Sequence, residues 1–338
     1  MTDLFALPAV RLAVVGLGLM GERHCHVIRA LPEAELVGVY DIHADRAARV
    51  SIHFGVDVFT TYEALLDSED VDGVVICLPS SLHADFGIRA ARAGKHVITE
   101  KPIDSSLEKA RRLQSLCQQA GVCCAVINQN RYSAGLAALH KAVTIGLMGT
   151  PVLARATVKW FRHDEYYTES SWRGRRDGEN GGVLINQAVH SIDTLQWLFG
   201  VPDQVIGFTH CSRPGVVEME DTAVAILKWN SGLVATLEAC TCAAPGFDEG
   251  YEVHSPVATM KVEKGRVDYW YHRDGLPLPQ IHFDEAPDLP DPRLLLFYRQ
   301  YDEIIRAIQQ EDDPAPDANC QQAVAVVETI EKIYNSAR

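Results

Sequence analysis

The segment at residues 10–21 constrains the fold of this chain more than any other. An apolar strand leads directly into a Gly-x-Gly-x-x-Gly turn, and a helix-compatible stretch follows as far as Leu31. The first glycine permits the tight turn, the second lets backbone approach a diphosphate, and the third lets the helix pack against the sheet. The pattern predicts a βαβ unit whose helix N-terminus binds a dinucleotide diphosphate. The predicted contact residues are Gly16, Leu17, Gly18, Leu19, Met20 and Gly21.

An acidic residue follows the second strand of the predicted βαβ unit. A second apolar strand, residues 34–40, ends at Asp41, which lies 20 residues after Gly21. A carboxylate there accepts hydrogen bonds from the adenosine ribose hydroxyls and repels a 2′-phosphate. Its neighbours Ile42 and His43 supply no arginine to reverse this preference. The sequence therefore predicts NAD binding, with NADP disfavoured.

Composition narrows the class of protein. The 338 residues suit two domains, and the net charge of −14 argues against nucleic acids and anionic membranes as partners. We expect no signal peptide, because the first apolar run is the nucleotide-binding strand, and no uninterrupted apolar run is long enough to span a bilayer. The nine cysteines suit reduced thiols in a cytoplasmic protein. Cys123-Cys124 and Cys240-x-Cys242 lack the spacing of a zinc site, so no metal site is predicted.

The pattern of elements predicts an α/β chain of two domains. Residues 1–130 alternate strands and helices, which indicates a Rossmann doubly wound parallel sheet. Residues 131–338 contain long extended runs, hairpin turns at 230–232 and 263–266, and two final helices. This pattern predicts an α+β substrate-binding domain with an open-faced, mostly antiparallel sheet. An exposed apolar sheet face usually marks an interface, so we expect a homodimer or homotetramer.

Three further motifs carry a family resemblance. Leu78-Pro79-Ser80-Ser81-Leu82-His83 follows the fourth predicted strand, and Glu100-Lys101-Pro102 follows the fifth. The second domain contains Gly181-Gly182, then Asn186, His190 and Asp193, whose spacing places the last three on one face of a helix, with His190 pointing away from the core. Together with the glycine turn, these motifs resemble the glucose–fructose oxidoreductase/inositol dehydrogenase/rhizopine catabolism (Gfo/Idh/MocA) family over essentially the whole chain.

The resemblance implies an NAD-dependent dehydrogenase or reductase that acts on a secondary alcohol or ketone of a sugar, cyclitol or nucleotide-sugar derivative. Lys101 and His190 would share proton transfer, and the nicotinamide would lie at the strand ends that carry Lys101. Many relatives have aspartate at the position of Asn186, so the choice of base stays open. Further expected cofactor contacts are Leu78, Pro79, Ser81, His83, Glu100, Lys101 and Asn128. Expected substrate contacts are Lys101, Arg131, Trp172, Arg173, Asn186, His190 and Asp193.

Two alternative functions remain open. Some proteins of this fold sense a dinucleotide and regulate a partner without catalysis, although they usually lack the lysine–histidine pair. An enzyme could also retain one cofactor molecule, which one substrate reduces and another reoxidises. The substrate is equally open. The combination of Gln129-Asn130-Arg131-Tyr132 with Trp172-Arg173-Gly174 is similar to the branch that contains UDP-N-acetylglucosaminuronate 3-dehydrogenases.

Overall fold

A computed structural model describes residues 7–169, 172–310 and 316–337. Its contacts divide the chain into two compact units. The first unit consists of Met1–Asp104, Glu108–Gln129 and Asp284–Gln321. The second consists of Ser105–Leu107, Asn130–Phe283 and Gln322–Arg338.

The described residues form thirteen strands and eleven α-helices, numbered here in chain order. The strands are β1 (Val10–Val15), β2 (Ala34–Tyr40), β3 (Asp57–Val58), β4 (Gly73–Ile76), β5 (His96–Thr99), β6 (Cys124–Val126), β7 (Leu153–Lys159), β8 (Gln204–His210), β9 (Thr222–Lys228), β10 (Val234–Cys240), β11 (Gly250–His254), β12 (Ala258–Glu263) and β13 (Arg266–His272). The helices are α1 (Leu19–Ala30), α2 (Ala44–Phe54), α3 (Tyr62–Leu66), α4 (His83–Arg92), α5 (Leu107–Ala120), α6 (Ala134–Thr144), α7 (Glu165–Thr168), α8 (Val183–Asn186), α9 (Val189–Phe199), α10 (Leu295–Gln309) and α11 (Cys320–Ser336).

The first unit is built on a parallel sheet of six strands in the order β3-β2-β1-β4-β5-β6. Its central strands are apolar and buried at nearly every position, as expected for a sheet covered on both faces. The strand order reverses between β1 and β4. In open α/β sheets, ligands bind outside the carboxyl ends of the strands at such a switch point. The predicted doubly wound Rossmann sheet is confirmed.

The first unit also includes a late part of the chain. We predicted that everything after residue 131 belongs to the second domain, whereas Asp284–Gln321 belongs to the first unit. The reason is the apolar face of α10, where Phe297, Tyr301, Ile304 and Ile305 are buried in the same core as α1 and β1. Sequence periodicity showed that α10 is a helix but not which core its apolar face would join.

The second unit has a seven-stranded sheet in the order β13-β12-β11-β7-β10-β9-β8. Only β7 and β10 pair in parallel, and the other described pairs are antiparallel. Residues from α6, α8, α9 and α11 join the inner face of the sheet in one apolar core. The predicted α+β architecture is confirmed. Strand β11 was missed by the sequence analysis, because Gly250–His254 is only five residues long.

The opposite face of this sheet exposes an apolar patch, which consists of Ile206, Phe208, Val224 and Ile226. Their exposed fractions run from 45% to 72%. Ile206 lies opposite Ile226, and Phe208 lies opposite Val224, so all four side chains share one face of the β8–β9 pair. Farther along the sheet, on β7, β10 and β11, the exposed positions instead carry ion pairs such as Arg155–Glu238 and Arg155–Glu252.

Among the described residues, no helix combines the length and apolar character needed to cross a membrane. Within the same ranges, no group of three or more histidine, cysteine or acidic side chains is arranged to hold a metal ion.

Candidate active site: a dinucleotide cradle and a polar cluster

The glycine turn has the geometry that a diphosphate requires. Gly16 has a φ of +87°, and a Cβ there would lie 2.6 Å from the carbonyl oxygen of Cys77. At Gly21 a Cβ would lie 2.0 Å from the Gly16 oxygen, so neither position accepts a side chain. At Gly18 a Cβ would meet no atom within 4 Å, which leaves this backbone open to a ligand. The first amides of α1 have no acceptor within the helix, so they are available to an anion.

Asp41 closes the adenosine side of this cradle. Its carboxylate accepts hydrogen bonds of 2.8 Å from the backbone amides of Leu17 and His43, and Arg46 donates to it at 3.1 Å. Burial alone would raise the pKa of Asp41, but these hydrogen bonds and the Arg46 charge hold it below its usual value. A permanently ionised acceptor at the end of β2 suits a ribose diol. The residues present therefore fit a bound dinucleotide.

The loops that follow β4 and β5 are tied together by His83. Its Nδ1 lies 2.7 Å from the Pro102 oxygen, and its Nε2 lies 2.7 Å from the Leu78 oxygen. The imidazole is buried, which lowers its pKa. His83 thus fixes the spacing of the two strand ends, and Pro79 and Ser81 lie in the loop it holds. The Lys101–Pro102 peptide is cis.

A buried network behind Lys101 was not found by the sequence analysis. His24 lies 3.0 Å from a carboxylate oxygen of Glu100 and 2.9 Å from the Tyr301 hydroxyl. The other oxygen of Glu100 accepts a hydrogen bond of 3.1 Å from the Lys101 amide. Burial alone would raise the pKa of Glu100. The hydrogen bond with His24 and the charge of that ring oppose this effect, and the pKa lies below its usual value. His24 thus anchors Glu100, the residue before Lys101.

The end of β6 is held in a similar way by α10. The backbone amide of Asn128 donates to the side chain of Gln300 at 3.0 Å, and the Gln300 amide donates to the Val126 oxygen at 2.8 Å. Asn128 itself is buried, with 4% of its surface exposed. The three strand ends that carry Leu78, Glu100 and Asn128 therefore belong to one rigid edge of the sheet in the first unit.

In the second unit, the helix predicted around His190 is broken. α8 ends at Asn186 and α9 begins at Val189, because the Ala188 amide bonds to the oxygen of Val183, five residues earlier. Asn186 is therefore not on the same straight helix face as His190 and Asp193. His190 and Asp193 are 7% and 1% exposed, so neither is a surface residue. Both sides of α9 are buried, against the sheet and against neighbouring segments.

Arg131 and Asp193, predicted to contact substrate, bind each other. The guanidinium donates to both carboxylate oxygens of Asp193, at 2.7 and 2.6 Å. Both side chains are 2% exposed, and the guanidinium carbon also lies 5.3 Å from the Trp197 ring centre. A paired, desolvated arginine and aspartate are committed to one geometry. The pair joins α9, which carries Asp193, to the segment that carries Arg131, and contact of either residue with a substrate stays a prediction.

Asn186 belongs to a polar cluster with residues of the preceding loop. Its side-chain amide donates to Glu179, whose second oxygen accepts a hydrogen bond of 2.7 Å from the Gly174 amide. The Tyr166 hydroxyl lies 3.5 Å from the same Asn186 nitrogen. Arg173 stacks over Tyr166, with its guanidinium carbon 4.6 Å from the ring centre, and also contacts the Trp172 ring. The structure therefore brings Trp172, Arg173 and Asn186 together through Tyr166.

Glu179 is the member of this cluster that the sequence analysis missed. It follows Arg175-Arg176-Asp177-Gly178, and a charged run of this kind is usually a solvated loop. In the structure Glu179 is 1% exposed. A buried carboxyl group therefore lies in hydrogen-bond contact with Asn186.

The fold and the glycine turn define a dinucleotide-binding protein with a Rossmann domain, and comparison with known proteins identifies the family. Residues 10–128 match the model of an oxidoreductase family with an NAD-binding Rossmann fold, and residues 136–260 match that of the GFO/IDH/MocA C-terminal domain. The chain belongs to the GFO/IDH/MocA family and is an NAD-dependent oxidoreductase.

Two curated relatives and one solved structure illustrate the similarity. The 1,5-anhydro-D-fructose reductase of Ensifer adhaerens is 30% identical over 231 residues, which are 67% of each chain. The scyllo-inositol 2-dehydrogenase (NAD(+)) of Bacillus subtilis is 29% identical over 72% of this chain and 71% of its own. The WlbA dehydrogenase from Bordetella pertussis, solved in complex with NADH and UDP-GlcNAcA, is 28% identical with a TM-score of 0.85. That match covers 98% of this chain and 97% of the other.

Proposed function

We propose that the protein transfers a hydride between NAD and a secondary alcohol or ketone of a sugar, cyclitol or nucleotide-sugar derivative. The observation that carries the proposal is the position of Lys101. It follows β5 at the ligand-binding edge of the Rossmann sheet, and its backbone is held by the buried Glu100. The substrate class rests on the relatives, whose names refer to an anhydro-sugar, an inositol and a UDP-sugar.

In this proposal Lys101 and His190 move the proton that accompanies the hydride. NAD, when bound, supplies the hydride acceptor at its nicotinamide ring. During alcohol oxidation, the O–H bond of the substrate breaks and its proton passes to the neutral amine of Lys101 or to the imidazole of His190. During ketone reduction, the protonated group returns it. Glu179, through Asn186, orients the polar cluster that precedes His190 in the chain.

Assembly and location complete the proposal. The apolar patch of Ile206, Phe208, Val224 and Ile226 supports a homodimer or homotetramer joined through the open sheet face, because exposed apolar clusters of this kind usually mark interfaces. All nine cysteines are free thiols, which suits a cytoplasmic protein.

A substrate panel tests the proposal. The purified protein is incubated with NAD and a set of cyclitols, free sugars, anhydro-sugars and UDP-sugars, and the absorbance of reduced nicotinamide is followed. We expect turnover with at least one polyol. NAD binding with no turnover across the panel, in either direction, would overturn the proposal and favour a dinucleotide-sensing regulator. Extraction of cofactor from the purified protein, with its redox state, distinguishes an exchangeable NAD from a retained one.

A further inference from the structure

Two cysteines at the end of β10 lie side by side. Cys240 is the last residue of β10 and Cys242 follows two positions later, a spacing that places both side chains on one face of an extended segment. Their sulfur atoms are 3.2 Å apart, and the Cys242 amide donates a hydrogen bond of 3.3 Å to the Cys240 sulfur. Both are free thiols and only partly buried. The spacing that does not suit a zinc site therefore brings two thiols into contact.

The two thiols differ in their surroundings. The Cys242 sulfur lies 3.1 Å from the hydroxyl oxygen of Ser212. Burial alone would raise the pKa of Cys242, but hydrogen bonds from its neighbours, first among them Ser212 and Cys240, hold it below its usual value. The Asp221 carboxylate opposes this effect, and it is itself paired with Arg213 at 3.3 Å. Burial raises the pKa of Cys240. Because the thiolate is the nucleophilic form of cysteine, Cys242 is the more reactive sulfur of the pair.

The residue between the two cysteines is fixed by buried hydrogen bonds. Thr241 is 0% exposed, and its hydroxyl oxygen accepts hydrogen bonds from the Tyr167 hydroxyl at 2.9 Å and from Arg213 at 3.2 Å. Its carbonyl oxygen accepts a further one of 2.8 Å from the Arg162 amide. These contacts hold the backbone that joins Cys240 to Cys242, so the two sulfur atoms stay within reach of each other.

We propose that Cys242 and Cys240 form a dithiol site that hydrogen peroxide oxidises to an intramolecular disulfide. The Cys242 sulfur attacks one peroxide oxygen, the O–O bond breaks, and the other oxygen leaves as hydroxide, which takes up a proton to become water. Cys242 is then a sulfenic acid. The Cys240 sulfur attacks it, the S–O bond breaks, and a second water carries away the hydroxyl group and the thiol proton. Two electrons pass from the two sulfurs to the peroxide.

The geometry requires little movement for this reaction. The two sulfur atoms must approach from 3.2 Å to the length of a disulfide bond, about 2 Å. The site lies on the second unit and uses neither NAD nor the substrate. The proposal is therefore independent of the proposed function and can be tested without turnover.

Peptide mass spectrometry of the full chain tests the proposal. Tryptic peptide 229–261 contains Cys240 and Cys242 and no other cysteine. The reduced protein is treated with hydrogen peroxide, and the remaining thiols are alkylated before digestion. We expect the peptide to lose two hydrogen atoms and take up no alkyl group, and dithiothreitol to reverse both changes. In Cys240→Ser, dimedone should label the sulfenic acid of Cys242. In Cys242→Ser, Cys240 should react at least ~10-fold more slowly.

Cys211 provides the matched control, because it is also a free, partly exposed thiol, and its sulfur lies 3.5 Å from the backbone oxygen of Val217. It should stay reduced at the peroxide dose that oxidises the pair, and Cys211→Ser should leave disulfide formation unchanged. Circular dichroism shows that each variant is folded, and the measurement on the native protein needs no variant. Absence of the disulfide in the native protein would overturn the proposal, as would oxidation of Cys211 at the same rate.

Discussion

Glu179 accepts a hydrogen bond from the side-chain amide of Asn186, and this contact fixes the orientation of that amide. A carboxylate only accepts hydrogen bonds, so the nitrogen of Asn186 faces Glu179 and its oxygen faces away. Many relatives are expected to carry an aspartate at this position. Here the carboxyl group instead belongs to Glu179, which is buried and also accepts a hydrogen bond from the Gly174 amide.

Asn186→Asp should therefore place a second carboxylate in contact with the buried carboxylate of Glu179. One of them must take up a proton, which raises its pKa in the folded state. A raised carboxyl pKa contributes stability that is present at low pH and lost as the pH rises through the folded value. We expect the free energy of unfolding to fall by roughly 1–3 kcal/mol at pH 8 and by less at pH 5. Urea denaturation at the two pH values measures this.

The double variant Asn186→Asp/Glu179→Gln is the control for this prediction. It restores one donor and one acceptor with the polarity reversed, so most of the lost stability should return. If His190 is the base, the double variant, which moves the negative charge from position 179 to position 186, should also raise the pKa of His190 and move the acidic limb of the rate–pH profile to higher pH. Equal stability of Asn186→Asp and the native protein at both pH values would contradict the contact.

Lys101→Ala should lower turnover by at least ~100-fold, because it removes a proton carrier and a charge that polarises the substrate oxygen. NAD affinity should survive, since the glycine turn and Asp41 are unchanged. Lys332→Ala, on the exposed side of α11, is the matched control and should leave turnover unchanged. Steady-state kinetics and NADH fluorescence titration give the two readouts. Near-native turnover in a folded Lys101→Ala protein would refute the proposed mechanism.

His190→Ala should also lower turnover, but by less than Lys101→Ala, because Asn186 cannot stabilise an imidazolium as an aspartate would. Comparison of the two single variants with the double variant shows whether they serve the same proton transfer. Strongly non-additive losses are expected if they do. A larger loss in His190→Ala than in Lys101→Ala would assign the main base to His190.

Phe208→Glu should dissociate the proposed oligomer, because it puts a charge in the centre of the apolar patch on the β8–β9 face. Light scattering at micromolar concentration should show smaller particles than for the native protein. Ile52→Glu is the control, since Ile52 is an exposed apolar residue on α2, in the first unit. A native protein that is already monomeric under these conditions would rule out the predicted assembly.

Glu249→Gln should stabilise the protein above neutral pH. Burial and the neighbouring charge of Asp248 raise the pKa of Glu249 to about 7. The folded state therefore holds a proton that the unfolded chain releases near pH 4, and this stability is lost as the pH rises to about 7. The amide keeps an acceptor for the hydrogen bond from Asn130. We expect a gain of roughly 1–3 kcal/mol at pH 8 and almost none at pH 4, measured by urea denaturation.

The sequence by itself determined the turns, strands and helices that depend on residues close together in the chain. Gly16 and Gly21 are required by a turn in which a side chain would not fit, and Asp41 was recognised by its position at the end of β2. The hairpin turns after β9 and β12 follow from short runs that contain glycine. Alternation of strands and helices was enough for the Rossmann sheet, because parallel strands need helical crossovers.

The tertiary structure decided what depends on residues far apart in the chain. Only packing shows that α10 joins the first core, that Tyr301 binds His24, and that Arg131 pairs with Asp193. Arg46 and Glu179 lie in charged stretches that look like solvated surface, and their roles come from the carboxylate and amide that they meet after folding. Such contacts leave no periodic trace in the sequence, because a buried ion pair or hydrogen bond is set by where two segments meet.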